Sequence, residues 1–136
     1  MSLQAVADEL LEKTGASRVT IRRGEGFPVV VESLAPGVQS IRDERTVDLR
    51  TQPVALEVAA GRQVVQEDSA AAYDDPEYQR MLGVYGGLAA QIVTPVARHG
   101  RVEAILSLHQ LGRTRHWTEE EVERCRAAAE RIAGLL

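Results

Sequence analysis

Two apolar segments, LAAQIVTPVAR (88–98) and RVEAILSLHQ (101–110), are joined by His99-Gly100 and constrain this chain more than any other feature. Long apolar runs on either side of a His-Gly turn predict a β-hairpin. No charged residue falls between Leu88 and Val96 or between Ala104 and Leu108, so both strands must be central and buried on both faces. Such a sheet needs two separate covers, which the rest of the chain has to supply.

The remaining segments divide accordingly. Leu3, Val6, Leu10 and Leu11 recur at helical spacing, and Gly15 stops that helix. SRVTIRR alternates Val19 and Ile21 against Arg18, Thr20 and Arg22, a strand with one wet face, and the Arg22-Arg23 and Arg113/Arg115 clusters read as solvated strand ends or turns. GEG is a turn, and FPVVVESL is the return strand, placed at an edge by Pro28. Residues 38–50 are charged and carry no clear period. TQPVALEVAAG reads as a short helix capped at Thr51 or Gln52 with Pro53 in its first turn, followed by a short strand QVVQ. PEYQRML is one or two helical turns entered through Asp75 and ended by Gly83. The closing helix starts at a capping box, Thr118 with Glu121, and Trp117 before it can pack on Val122. The fold class is therefore α+β: one domain over 1–136, a mostly antiparallel sheet of five to six strands, and helices on both faces. The terminal helices cover one face and segment 51–85 the other.

Composition narrows the function. A net charge of -4 offers no basic field for nucleic acid. No run approaches the ~20 apolar residues of a membrane span. Cys125 is the single cysteine, which rules out an internal disulfide and suits a cytoplasmic setting. Three scattered histidines form no metal-ligand spacing, Asp74-Asp75 reads as a helix entry rather than a catalytic pair, and no nucleotide or hydrolase motif is present. We expect no enzyme and no metal.

Alternation in the last strand puts Ile105, Ser107 and His109 on one face and Leu106 and Leu108 on the other. Serine and histidine beside isoleucine fit a pocket wall; a core histidine satisfied by hydrogen bonds is the competing reading. In the partner strand either Gln91 or Thr94 supplies the polar contact, depending on which face is turned to the pocket. Tyr73, Tyr78 and Tyr85 cluster in the expected cover, each with an apolar body and a polar tip.

In this order the segments resemble a GAF domain along nearly the whole chain, on LLEKTGASRVTIRR, TPVARHGRVEAILSL and RHWTEEEVE. GAF domains are similar to PAS domains: sensory modules with a small-molecule pocket on one face of an antiparallel sheet. The stretch YQRMLGVYGGLAAQIVTPVARHGRVEAILSLHQ is similar to the bilin-binding GAF domains of phytochromes and cyanobacteriochromes. There a Tyr-containing helix precedes the hairpin, and the last strand ends in His followed by His or Gln. The resemblance implies that His109 touches a ligand. It also locates a departure: Asp74 and Asp75 stand where the relatives keep the Cys-His pair that carries the bilin thioether. Cys125, in the closing helix, does not replace it, so no covalent bilin is expected. The Asn-Lys-Phe-Asp-Glu signature of cyclic-nucleotide GAF domains is absent, and the GAF-fold methionine sulfoxide reductases need several cysteines.

The resulting expectation is a sensory or regulatory module in a signalling or transcription-regulating protein. It binds a small, partly apolar ligand of unspecified identity at His109, Ser107, Tyr78, Tyr85, Gln91 and Met81. The alternatives are a ligand-free dimerisation scaffold and a redox enzyme. Val122, Cys125, Ala129, Ile132 and Leu136 form a three-four seam on the last helix, matched by Leu3, Val6 and Leu10 on the first. That pattern predicts a homodimer through these two helices.

Overall fold

The computed structural model describes residues 1–136. Helix α1 (Leu3–Thr14) leads into strands β1 (Arg18–Arg23) and β2 (Val29–Leu34). Then come α2 (Pro53–Ala59), β3 (Val64–Gln66), α3 (Pro76–Val84), β4 (Leu88–Arg98), β5 (Arg101–Leu111) and α4 (Glu119–Leu135). The five strands form one antiparallel sheet in the order β2-β1-β5-β4-β3. The hairpin β4–β5 is central, as its lack of charge requires, and β2 with Pro28 just outside it lies at an edge.

Local chemistry sets the element ends. Ser2 caps α1 by accepting from the Ala5 amide, and Gly15 ends it in the left-handed region at φ 65°. Asp75 accepts from the Glu77 and Tyr78 amides and opens α3 ahead of Pro76. The Thr118/Glu121 capping box is formed on both sides. Helix α3 does not stop at Gly83; it runs through that residue to Val84 and turns at Gly86 and Gly87, with φ 88° and 80°. A Cβ at Gly86 would lie 3.3 Å from Leu111 Cδ1 and 3.7 Å from the Arg18 guanidinium, so glycine here admits the close approach of the two.

Each sheet face has its own core. On one, Val19, Ile21, Ala90, Ile92, Leu106 and Leu108 meet Val6 and Leu10 of α1 and Cys125, Ala129 and Ile132 of α4. On the other, Val93 and Ile105 meet a smaller cluster from the middle of the chain: Ile41, Val54, Val58, Tyr78, Met81, Leu82 and Tyr85. Trp117 anchors the first core and donates from Nε1 to the Gln66 carbonyl, 3.0 Å.

The packing revises two expectations. The three-four seam of α4 lies inside the chain: Cys125 and Ile132 are fully buried, and Val122 and Leu136 pack against the same cluster. Val6 and Leu10 of α1 are buried there too, so the two stripes meet the sheet and each other within one copy. Arg115 is no solvated turn residue: it stacks 4.5 Å over Trp117, pairs with Glu121 and donates to the Thr14 carbonyl. Removing the Ile132 side chain beyond Cβ should therefore cost about 2–4 kcal/mol of stability. Urea unfolding of Ile132→Ala is expected to show that loss, and Ile132→Glu to unfold the chain rather than leave a folded, dissociated protein.

Candidate functional site

The face opposite the terminal helices carries the candidate site. Register across the sheet places Arg18 beside His109, His109 beside Gln91, and Gln91 beside Gln66. One row of polar residues thus crosses β1, β5, β4 and β3, and all four are buried. In the next row Thr20 faces Ser107, and Ser107 faces Val93. The open choice in β4 is settled: Gln91 lies on this face, while Thr94 lies on the other and accepts from Gln63 Nε2, 3.1 Å.

Gln91, Val93, Ile105, Ser107 and His109 form the floor of a cavity of about 50 Å³. Its roof is Leu49, Gln52, Val54, Ala55, Met81 and Tyr85, and Arg22 forms a side wall. The roof comes from a 3-10 turn at Leu49–Thr51, the start of α2 and the end of α3. Of the expected residues, His109, Ser107, Tyr85, Gln91 and Met81 are brought together here. Arg22 was expected in solvent. Instead it donates to the Phe27 carbonyl, 3.0 Å, and to the Tyr85 hydroxyl, 3.1 Å. Leu49, Gln52, Val54 and Ala55 also escape sequence reasoning: Leu49 lies in the charged segment without period, and the helix that follows is too short for its spacing to tell which residues face inward.

His109 is held by Arg18. The guanidinium donates to His109 Nδ1, 3.1 Å, to the Tyr85 carbonyl, 3.0 Å, and to the Gln39 carbonyl, 2.7 Å. Because Nδ1 accepts, the neutral imidazole carries its proton on Nε2. Burial, reinforced by the charges of Arg18 and Arg22, holds the imidazole well below the usual histidine range. Burial also lowers the Arg18 guanidinium from its ordinary value. Arg18 and Thr20 are fully buried, so the supposed wet face of β1 is interior.

The GAF domain family model matches residues 1–136. The chain belongs to the GAF domain family. No functionally curated protein matches it. Among solved structures it is similar to the third GAF domain of Slr1393 from Synechocystis sp. PCC6803 in its photoproduct state, with 17% identity over 96% of this chain and 88% of that one and a TM-score of 0.81. The blue-light-absorbing form of the Thermosynechococcus elongatus PixJ GAF domain gives 22% identity over 98% and 83%, TM-score 0.79. The GAF domain of a phosphoenolpyruvate-protein phosphotransferase from Coxiella burnetii gives 19% over 97% and 78%, TM-score 0.75. At these identities the likeness is one of fold.

Within this GAF domain Tyr78 departs from its expected place. It is fully buried but off the cavity wall, with its hydroxyl 2.7 Å from the Ser69 carbonyl and 3.1 Å from Gln66 Oε1. Tyr73 packs edge-on against it, ring centroids 5.0 Å apart. These tyrosines tie the cover together, whereas Tyr85 alone reaches the cavity. Its ring stacks on His109 at 6.1 Å, and burial raises its hydroxyl, which stays protonated. Cys125 lies in the core of the opposite face, and burial pushes its thiol up to about 12. No three His, Cys, Asp or Glu side chains cluster as a metal site would require.

Buried, neutral His109 makes stability depend on pH in a definite direction. With a folded pKa below the unfolded value of ~6.5, the unfolded chain takes up the proton first. The contribution is complete above pH ~6.5 and is lost as pH falls toward the folded value, by at most about 1.4 kcal/mol per pH unit. Urea midpoints at pH 7.5 and 5.5 should show this loss, and His109→Gln should remove that share of the slope.

Proposed function

We propose that this GAF domain is a non-enzymatic sensory or regulatory module that binds a small, partly apolar molecule between the sheet and its middle-segment cover. The observation that carries this reading is a cavity whose buried polar groups are only partly used by the protein. Gln52 is 3% exposed, and its Oε1 has no hydrogen-bond partner. The Nε2–H of His109 is left over once Nδ1 has accepted from Arg18. Buried polar groups are normally satisfied, so groups left free around a cavity call for an occupant.

Chemistry other than binding has little support. Cys125 is the only thiol, protonated at neutral pH and walled off by the sheet, so it offers no redox or nucleophilic centre. It also cannot reach the cavity to carry a thioether. One structural neighbour holds biliverdin IXα, and ligand binding beneath the cover is the property we extend to this chain. The present cavity is far below the about 300–1,000 Å³ of a drug-sized site, so a ligand here is compact or displaces the cover. Signal output by self-association would use the outer flanks of α1 and α4, where Leu135 is 41% exposed, rather than the buried seam.

Native mass spectrometry of freshly purified protein tests the reading. A discrete added mass, lost on denaturation and weakened by Ser107→Ala, is the expected result. A chain that carries no adduct and is not stabilised by any member of a broad metabolite panel would refute it. Co-expression with a bilin-making pathway should give no zinc-fluorescent band on a denaturing gel.

A further inference from the structure

The geometry points to a small carboxylic acid as the ligand class of this cavity, its carboxylate held among Arg22, Tyr85 and His109 and its short apolar body against Val54, Met81 and Val93. This rests on the reading of the cavity as a ligand site and specifies its chemistry.

The first argument is the sense of the free hydrogen-bonding groups. His109 offers Nε2–H, since Nδ1 is taken by Arg18. Tyr85 accepts from Arg22 and keeps its own proton to give. Arg22 has five N–H groups, of which the Phe27 carbonyl and the Tyr85 hydroxyl use two. Three side chains linked in series, with Arg22 6.0 Å over the Tyr85 ring and that ring stacked on His109, thus present donors to the cavity, against one free acceptor, Gln52 Oε1. A planar carboxylate matches a guanidinium fork better than any neutral acceptor does.

The second argument is charge. No acidic residue lines the cavity, while Arg22 does. Arg18, fully buried behind His109, is bonded to two carbonyls and an imidazole and to no carboxylate, and its Nε has no partner. Glu32, which accepts from Ser40 and the Ile41 amide, is the acid whose charge favours the Arg18 cation, but no carboxylate lies within ion-pair distance of that guanidinium. A buried cation with no carboxylate in contact with it is costly, and an anion in this cavity offsets part of that cost. A cationic ligand would add to it.

The third argument is access. Arg22 and Leu49 also wall an outer groove of about 280 Å³ between the β1–β2 turn and residues 41–50. The guanidinium therefore stands at the boundary between inner cavity and groove, inward of a mixed rim of Arg42, Arg45 and Arg50 with Glu25, Glu44 and Asp48. The apolar body then goes inward, where most of the lining is hydrophobic.

The test uses two matched pairs, benzoate with benzamide and isovalerate with isovaleramide, titrated into the whole chain. Melting temperature and the Met81 methyl resonance are followed together. Benzoate or isovalerate should raise the melting temperature saturably and shift the Met81 signal, with the amides at least about tenfold weaker. Arg22→Gln should weaken the acids by a similar factor, and Arg22→Lys, which keeps the charge without the fork, should fall between. Equal binding of acid and amide, or acid binding unchanged in Arg22→Gln, overturns the carboxylate assignment and leaves the cavity a ligand site. No Met81 shift with any of the four compounds overturns the assignment, while a native-mass adduct of different chemistry would still support the wider reading.

Discussion

A guanidinium with no carboxylate partner, fully enclosed, is the constraint around which one side of this protein is built. Arg18 leaves β1 on the face away from the terminal helices and is bonded to β5 through His109, to the end of α3 through the Tyr85 carbonyl, and to the β2–α2 connection through Gln39. One acceptor lies in the sheet and two lie in the cover, so one side chain ties two cover segments to the floor. The end of α3 suits this role: its last carbonyls carry the negative end of the helix dipole, and Gly86 lets them come within reach. The same bond sets the imidazole tautomer, and with it which nitrogen faces the cavity.

The two sheet faces are unequal by construction. The terminal helices lay continuous apolar stripes on a continuous apolar face, giving a core of 18 buried residues in which the polar thiol of Cys125 is simply another small apolar group. The middle segment supplies short helices and turns over a floor interrupted by Ser107, His109 and Gln91, and its core holds 10 residues. Fewer buried apolar groups make the cover the side with the lower cost of local opening. The scaffold and the adjustable side are therefore separated by a sheet one layer thick.

How much of this could be read from the sequence follows from the same asymmetry. The hairpin, the helix caps at Asp75 and Thr118, and the division of labour between terminal and middle segments all rest on local chemistry or on unmistakable apolar runs, and they are found where expected. His109, Ser107, Gln91, Tyr85 and Met81 follow from alternation together with family likeness. Arg18 and Arg22 were misjudged because alternation separates the faces of a strand without telling what covers them. Thr20 between them, on a strand next to a hairpin buried on both faces, was the available hint. Tyr78 has the composition of a pocket residue, yet its hydroxyl finds the Ser69 carbonyl instead. The seam in α4 was ambiguous for another reason: spacing of three and four marks a helix that buries one stripe, whether the burying surface belongs to a second copy or to the chain's own sheet.

The two readings of His109 that sequence left open prove to be one arrangement. As a core residue it satisfies a buried arginine through Nδ1; as a cavity residue it turns Nε2–H toward the space under the cover. Neither role is available without the other, because an imidazole protonated on both nitrogens would set an N–H against the Arg18 guanidinium. Burial, reinforced by the arginine, keeps the histidine neutral, and the neutral histidine is a fixed donor. The donor that His109 offers is thus set by Arg18, a residue that does not line the cavity. Tyr85 joins the two arginines, its hydroxyl accepting from Arg22 and its carbonyl from Arg18, so the seating of α3 rests on both of them.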